Sequence, residues 1–570
     1  MVQISQRPFS AGLQLPGVHP VLQRVYSARG IAEASQLELS LQGLLPFSLL
    51  KGITAAVELL LPVVTQQKRL LVVGDFDVDG ASSTALAIRA LRLLGARHLD
   101  YLVPNRFDFG YGLSPELVQV ALPMKPDLIM TVDNGIASHE GIQVAQAAGV
   151  PVLVTDHHLA GATLPEAAAI VNPNQPGCEF PSKAACGCTV VFYLMLALRA
   201  RLAELGQLPQ PAPNMAQLLD LVALATVADV VPLDYNNRIL VEQGLRRIRA
   251  GHASAGILAL LQVAGREPSR IIAADFGFAI GPRLNAAGRL DDMSLGIECL
   301  LSDDAGRASQ LAQTLDEMNR DRREIEQGMQ AEALQYLSRF EADDNLPTGL
   351  CLFQPDWHQG VIGILASRIK EKVHRPVIAL AADEQGMLKG SARSIPGLHM
   401  RDALDEVDKR APHLMKKFGG HAMAAGLTLH AEGLAEFSRL FDEVCCRHLS
   451  EAQLQQRIET DGELSPAEFS LELAQLLRWG GPWGQAFPEP LFSGDFRLVQ
   501  QRIVGERHLK LVLQPKGSDL PLDAIWFNID PKVWPQPQAE WAHCVFQLDV
   551  NEFRGRQSVQ LLVRNLVAQM

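Results

Sequence analysis

The chain has 570 residues, 48 % hydrophobic and 20 % charged, the proportions of a folded globular protein and not of a disordered one. At roughly 100–200 residues per domain, that length allows about three to five domains. Lys and Arg number 51 against 63 Asp and Glu, leaving a net charge of −12, so no long-range field draws polyanions to the surface. Any nucleic acid must be held in a local groove, or through metal ions that reverse the sign locally. Eight cysteines without paired C-x-x-C spacing argue against a disulfide scaffold or a cysteine zinc site. No basic segment followed by an apolar one opens the chain, so no signal peptide is expected. The longest uncharged apolar stretch, Ala184 to Leu198, is shorter than the roughly 20 residues of a membrane span. The expectation is a cytoplasmic protein with no membrane part.

Residues 1–50 carry a weak pattern and are expected to form a helical segment. From 69 onward, short apolar runs at 70–74, 99–103, 127–132, 151–155 and 168–171 alternate with helix-like stretches such as 81–94 and 138–148. Buried strands alternating with helices imply a doubly wound parallel sheet, assigned to 51–302. Segment 216–228 is apolar and helical and ends at Asp229. Leu311, Leu315, Met318, Ile325 and Met329 recur at helical steps among charged residues, which predicts one long amphipathic helix over 303–345. At 1.5 Å per residue such a helix spans roughly 57 Å, a length suited to joining domains. Residues 346–452 return to α/β character. Over 453–570, alternating segments at 495–504, 507–514, 522–529, 543–552 and 557–567 fit a small β-barrel of the OB type, although other small barrels fit as well.

Acids and histidines cluster just after the predicted strands. G-D-F-D-V-D-G, Gly74 to Gly80, follows the first; if extended, Asp75, Asp77 and Asp79 share one face. V-D-N-G places Asp133 after the third run. T-D-H-H places Asp156, His157 and His158 after the fourth, where adjacent histidines of an extended segment point to opposite sides. A-D-V-V-P-L carries Asp229. One acid after a strand is an ordinary turn residue or helix cap, but acids after three strands fall where parallel sheets bind ligands. Four carboxylates brought together repel without cations, and two divalent ions balance their charge. Mixed carboxylate and imidazole ligands suit Mn²⁺, and Mg²⁺ where water fills the gaps; Zn²⁺ is less favoured without thiolates. Two such ions clamp a phosphodiester and activate a water for in-line attack. The chain has no GxxxxGK[ST] loop, which disfavours an ATP-driven motor of that class.

These motifs, in this order and spacing, resemble the DHH phosphoesterases, and within them the single-strand-specific exonucleases. N-R-F-x-x-G-Y-G (Asn105 to Gly112), G-P-R-L-N-A-A-G-R (Gly281 to Arg289), W-H-Q-G-V-I-G-I (Trp357 to Ile364), G-S-A-R-S (Gly390 to Ser394) and G-G-H (Gly419 to His421) extend the likeness over about residues 65 to 565. The resemblance implies Asp77, Asp79, Asp133, His157 and Asp229 as ligands of two ions, Mn²⁺ or Mg²⁺, with Asp133 bridging. Asp75 and Asp156 lie within the same motifs as weaker candidate ligands. It implies His158, Asp156 and Asp133 as the catalytic set, His158 contacting the scissile phosphate. Residues 346–452 become a DHH-associated domain that grips substrate. Arg106, Ser391 and Arg393 become a pocket for a 5′-terminal phosphate. Tyr111, Arg283, Asn285, Arg289, His358, Gly419, Gly420 and His421 complete the substrate-facing set. The implied activity is 5′→3′ degradation of single-stranded DNA with a free 5′ end to 5′-mononucleotides in repair and recombination. The implied partners are a single-strand-binding protein and a helicase, and the implied state is a monomer. Two other readings remain: a phosphoesterase for short oligoribonucleotides or 3′-phosphonucleotides, and a catalytically silent single-strand binder.

Some features admit a structural reading as readily as a functional one. Arg283 and Arg289 sit among glycines, suited to phosphate contact or to ion pairing. Arg320, Arg322 and Arg323 form a basic cluster on the long helix, either a solvated face or a wall for a strand. Trp479, Trp483, Trp526, Trp534 and Trp541 fall near the carboxyl end, where tryptophans serve as base-stacking platforms or as barrel core.

Overall fold

The computed structural model of the chain describes residues 2–10, 12–105, 112–341, 346–530 and 533–569. It divides into two compact units: Gln6–Asp316 with Glu459–Met570, and Met1–Ser5 with Glu317–Ile458.

The first unit is built on five parallel strands: β1 (Leu70–Val73), β2 (Leu99–Leu102), β3 (Leu128–Val132), β4 (Val152–Thr155) and β5 (Ala169–Val171), in the order β2-β1-β3-β4-β5. Every residue of β1, β3 and β4 is buried, because helices cover both faces; that is why these strands read as unbroken apolar runs. The chain leaves β1 toward one edge and returns on the other side as β3. The switch point therefore lies between β1 and β3, where the crevice beyond the strand ends opens.

Helix α1 (Val78–Leu93) follows β1, beginning three residues earlier than the sequence pattern predicts. The Asp77 carboxylate caps it, accepting the Gly80 N–H at 3.1 Å. Helices α2 (Gly187–Glu204), α3 (Leu219–Ala228) and α4 (Gly281–Leu290) pack around the sheet, α4 being preceded by a π-helical turn at Phe276–Ile280.

Among the described residues of the expected helical segment at 1–50 there is one α-helix, Pro20–Ser27, with three 3₁₀ turns and a strand at Gln3–Gln6. Pro8, Pro16 and Pro46, with several glycines, interrupt the rest. An ion pair ties this stretch to the chain before the barrel: Arg29 meets Asp461 at 2.7 and 3.0 Å, with side chains 1 % and 0 % exposed. Removing one partner strands a buried charge, so Asp461→Ala should cost about 3–5 kcal/mol, read as a lower midpoint in urea. A midpoint within error of the unmodified chain would dismiss this role.

The barrel consists of β-strands Phe492–Val504, His508–Pro515, Leu522–Trp526, Trp541–Phe553 and Arg556–Gln569. It closes in the order first-second-third-fifth-fourth; the third and fifth strands run parallel and the other pairs antiparallel. Phe469, Phe492, Phe496 and Phe546 form a connected cluster of rings in its core. Trp483 and Trp534 are buried, Trp526 and Trp541 half-buried, and Trp479 is exposed beneath the Arg249 guanidinium.

The second unit carries a mixed sheet of β6 (Leu350–Phe353), β7 (Val377–Ala382), β8 (Met387–Arg393), β9 (Met415–Gly420) and β10 (Ala424–His430), ordered β9-β10-β8-β7-β6. Only β6 and β7 are parallel. Its core gathers Ile378, Leu380, Leu404, Phe437 and Phe441. The boundary between the units falls within the long helix α5, Ala305–Glu341, 37 residues in length. Among the described residues no single helix is long and apolar enough to cross a membrane.

Candidate metal centre

The chemistry collects where β1, β3 and β4 end. After β1 the chain turns sharply into α1: a Cβ on Gly80 would stand 2.4 Å from the Asp75 carbonyl oxygen, so only glycine permits the turn. The turn corrects the expectation of three aspartates on one extended face. Asp75 lies in the loop, Asp77 is the helix cap and Asp79 sits in the first helical turn, so a loop-to-helix bend brings them together, not strand alternation. Beyond β3, Asp133 is left-handed at φ +62, a conformation aspartate tolerates. Asn134 donates its side-chain amide to the Val73 and Val132 carbonyls at 3.1 and 2.9 Å, locking the ends of β1 and β3 together.

Beyond β4, Asp156 accepts the Ile136 N–H at 2.9 Å, the His157 N–H at 2.7 Å and the His158 N–H at 3.1 Å, and contacts His158 Nδ1 at 2.8 Å. Asn172 and Asn174 donate to the carbonyls of His158 and His157. The two imidazoles do not point to opposite sides as an extended segment would place them. Their centroids are 4.5 Å apart, edge to face, because Asp156 draws the loop inward. Asp229 ends α3, and Val230 behind it adopts φ +58, unusual for a β-branched residue, as the chain turns away.

His157 Nε2 lies 3.1 Å from Asp133 Oδ1, 3.6 Å from Asp229 Oδ2 and 3.8 Å from Asp79 Oδ2. Three sets converge within 4.8 Å: Asp79, His157 and Asp229; Asp75, Asp77 and Asp133; and Asp133, His157 and His158. Asp133 belongs to two of them. His157 Nε2 and Asp229 Oδ2 are buried without a hydrogen-bond partner. Buried polar atoms are almost always satisfied, so these two atoms, facing two further carboxylates, fit a divalent cation. The second set includes Asp75, which the sequence reading ranked below the five named ligands.

Burial, reinforced by Asp79, raises the Asp77 carboxyl above its ordinary range. Burial and the neighbouring carboxylates raise Asp133 and Asp229 well above it. Burial lowers His157. His158 moves the other way, to about 9: burial opposes its charge, but the hydrogen bond and charge of Asp156 prevail. Asp156 is held low by the same contact, against burial. A metal-free centre thus holds protons that cations displace. Adding Mn²⁺ should release protons, seen as a buffer-dependent heat in calorimetry, and raise the melting temperature. At a free concentration 100-fold over Kd the gain is about 2.7 kcal/mol. Heats that do not vary with the buffer would contradict this electrostatic reading.

The remaining substrate-facing residues divide between the units. In the first, Asn285 Oδ1 accepts the Val78 N–H at 3.2 Å, and a Cβ on Gly288 would stand 1.9 Å from the Phe76 carbonyl oxygen, so α4 is seated directly on the aspartate loop. Arg283 of the same helix is buried and turned inward to Asp316 at 2.8–2.9 Å and the Ala279 carbonyl at 2.6 Å. This corrects the expectation that it faces phosphate, since its guanidinium ties α4 to α5. Arg289 is half-buried in the last turn of α4. Arg106 and Tyr111 lie outside the described residues.

In the second unit, Arg393 donates to the Ser391 hydroxyl at 3.0 Å. Both side chains flank Gly363, in the first turn of α6 (Ile362–Val373), where an added Cβ would come 3.0 and 3.1 Å from them. His358 Nδ1 accepts the Gly360 N–H at 3.1 Å just before this helix. In register across the sheet, Gly419 pairs with Gly426 and Gly426 with Ser391; Gly420 pairs with Ala425 and Ala425 with Ala392. The result is a row of small residues ending at the His421 turn, whose N–H donates to the Ala424 carbonyl at 2.8 Å. Of the basic cluster on α5, Arg322 is buried against Glu326 and Asn319, both at 2.6 Å, and is no channel wall.

The sequence reading missed Asn134, Asn172, Asn174 and the backbone at Gly187 and Cys188. The asparagines carry a signal, since each follows a strand closely. Gly187 lies inside the stretch Ala184 to Leu198, which hydropathy shows only as apolar.

A parallel sheet whose switch-point carboxylates and histidine converge on a cation site defines the DHH class of phosphoesterases. Models of the DHH family N-terminal domain, the DHHA1 domain and the RecJ OB domain match residues 69–226, 347–446 and 460–565. The single-stranded-DNA-specific exonuclease RecJ of Escherichia coli (strain K12) is 54 % identical over 570 residues, with 99 % of each chain covered. Crystal structures of RecJ from Thermus thermophilus in complex with Mn²⁺ and with Mg²⁺ align with TM-scores of 0.80 and 0.75, at 30 % and 28 % identity. They cover all of this chain and 80 % and 79 % of theirs. The chain belongs to the RecJ family of single-stranded-DNA-specific exonucleases.

Proposed function

We propose that this protein is a divalent-metal-dependent exonuclease that removes 5′-mononucleotides from single-stranded DNA, working 5′→3′, in repair and recombination. The observation that carries the reading is the buried pair His157 Nε2 and Asp229 Oδ2, without hydrogen bonds and 3.6 Å apart. Asp79, His157 and Asp229 would hold one Mn²⁺ or Mg²⁺ ion and Asp75 and Asp77 a second, with Asp133 as the ligand common to both. Ions held there would supply the charge that polarises the scissile phosphate and acidifies an attacking water. His158, kept protonated by Asp156, faces the phosphate as a cation and proton donor. Asn285 and Gly288 keep the aspartate loop in place. In the second unit, Ser391, Arg393 and the first turn of α6 bind a terminal 5′-phosphate; burial lowers the Arg393 pKa, and an anion there would favour its charged form. Arg289 in the first unit, and His358, Gly419, Gly420 and His421 in the second, contact the strand; Arg106 and Tyr111, which lie outside the described residues, also bind substrate. The protein works as a cytoplasmic monomer on strands supplied by a helicase and coated by a single-strand-binding protein.

Strands labelled at the 5′ or the 3′ end test the polarity. With Mn²⁺ the 5′ label should appear at once as mononucleotide while the 3′ label stays in a shortening strand, and a chelator should stop both. Early release of the 3′ label would reverse the assignment.

A further inference from the structure

Two contacts at the start of α2 remain unexplained by the ligand set. The helix is 18 residues long, and its first N–H groups, at Gly187 and Cys188, donate to Asp79 Oδ2 and Oδ1 at 2.6 and 2.8 Å. Those N–H groups have no acceptor within their own helix. The carboxylate also sits at the positive end of the helix. On the other side, a Cβ built on Gly187 would lie 2.6 Å from Asp133 Cβ and 2.8 Å from Asp133 Oδ1. Real Cβ atoms do not approach so closely. Asp133 is held by its left-handed backbone and by neighbouring Asn134, so it has little room to yield.

We propose that the amino end of α2 is the positioning device of the metal centre. Its N–H pair fixes the orientation of Asp79, and the missing side chain at Gly187 sets how near Asp133 stands to Asp79 and His157. Gly187 touches neither substrate nor ion and acts through the two carboxylates. The inference rests on the reading of Asp79 and Asp133 as ligands. It explains why the residue between Cys186 and Cys188 must lack a side chain even though a helix start accepts most residue types.

Gly187→Ala is the direct test, read by Mn²⁺ titration calorimetry beside the unmodified protein and Asp133→Asn. Losses of 10–100-fold are usual when residues behind a metal ligand are changed, and a drop in Mn²⁺ affinity of that size is expected. The overlap with Asp133 should also lower the metal-free melting temperature, so affinities are compared at a temperature where both proteins are folded. Equal Mn²⁺ affinity in Gly187→Ala and the unmodified chain, with loss in Asp133→Asn, would overturn the positioning role alone. Full affinity in Asp133→Asn as well would overturn the ligand reading beneath it.

Hydrogen exchange gives a second measurement that does not depend on Gly187→Ala folding. In metal-free protein the amides of 187 and 188 should exchange slowly, and Asp79→Ala should speed them at least about 10-fold while the middle of α2 keeps its protection. Unchanged exchange at 187 and 188 in Asp79→Ala would refute the clamp.

Discussion

Asp133→Asn should reduce nucleotide release by at least about 10²–10³-fold while leaving the fold intact. Loss of a single preorganised electrostatic contact in an active site already costs that much, and Asp133 serves two ligand sets. Asparagine is the right replacement because the residue sits at φ +62, where alanine is strained and asparagine is tolerated. The metal-free variant should melt above the metal-free parent at pH 7–8. The sign follows from the raised carboxyl: a folded pKa above the unfolded one stabilises below the ordinary carboxylate pKa of about 4, and that stability is lost as pH rises through the folded value. At neutral pH the parent carries this penalty and the asparagine variant does not, so the gap should close as pH falls toward 4. Addition of Mn²⁺ should reverse the order, stabilising the parent and barely moving the variant. Parent-like turnover by Asp133→Asn would end the bridging assignment, whatever the melting curves show.

Asp156→Asn is expected to lower kcat by about 10²-fold or more, in line with the usual contribution of a positioned proton donor. Its carboxylate accepts three N–H groups and contacts the His158 ring, so it acts on the reaction through His158. Without the carboxylate, His158 should titrate well below about 9, because burial opposes its charge and only the charges of Asp75 and Asp77 remain to raise it. The stability linked to His158 is fully present below about 6.5 and disappears as pH rises through 9. The part linked to Asp156, whose pKa is depressed, is present above about 4 and disappears as pH falls below it. The variant should therefore lose stability between those limits and show a flatter dependence on either side. An NMR titration of the metal-free protein with labelled histidine reads the pKa directly. An unchanged His158 titration together with an unchanged kcat would remove Asp156 from the mechanism.

Much of the fold is legible in the residues alone. Strands buried on two faces have no polar alternation to disguise them, so LLVV, LIMTV and VLVT mark β1, β3 and β4 to within a residue or two. The barrel strands read equally well for the opposite reason: one face packs on phenylalanines and the other meets water, as the alternating burial of His508–Pro515 records. The 1–50 segment was poorly legible because its order comes from partners far along the chain, such as Asp461 for Arg29. The start of α1 was misplaced because a cap is a side-chain hydrogen bond, which hydropathy does not register.

For the site, sequence by itself determined the donor chemistry. Carboxylates and one imidazole at the ends of parallel strands must meet at the switch point, and so many like charges in one crevice require cations. Only the tertiary structure decided how those groups are held. It turned Arg283 away to Asp316, drew Asp75 in beside Asp133, and aimed the N–H groups of α2 at Asp79. The reason is physical. A strand end is a local property, carried by adjacent residues, whereas the approach of a helix backbone to a carboxylate about a hundred positions away depends on packing that no single stretch encodes.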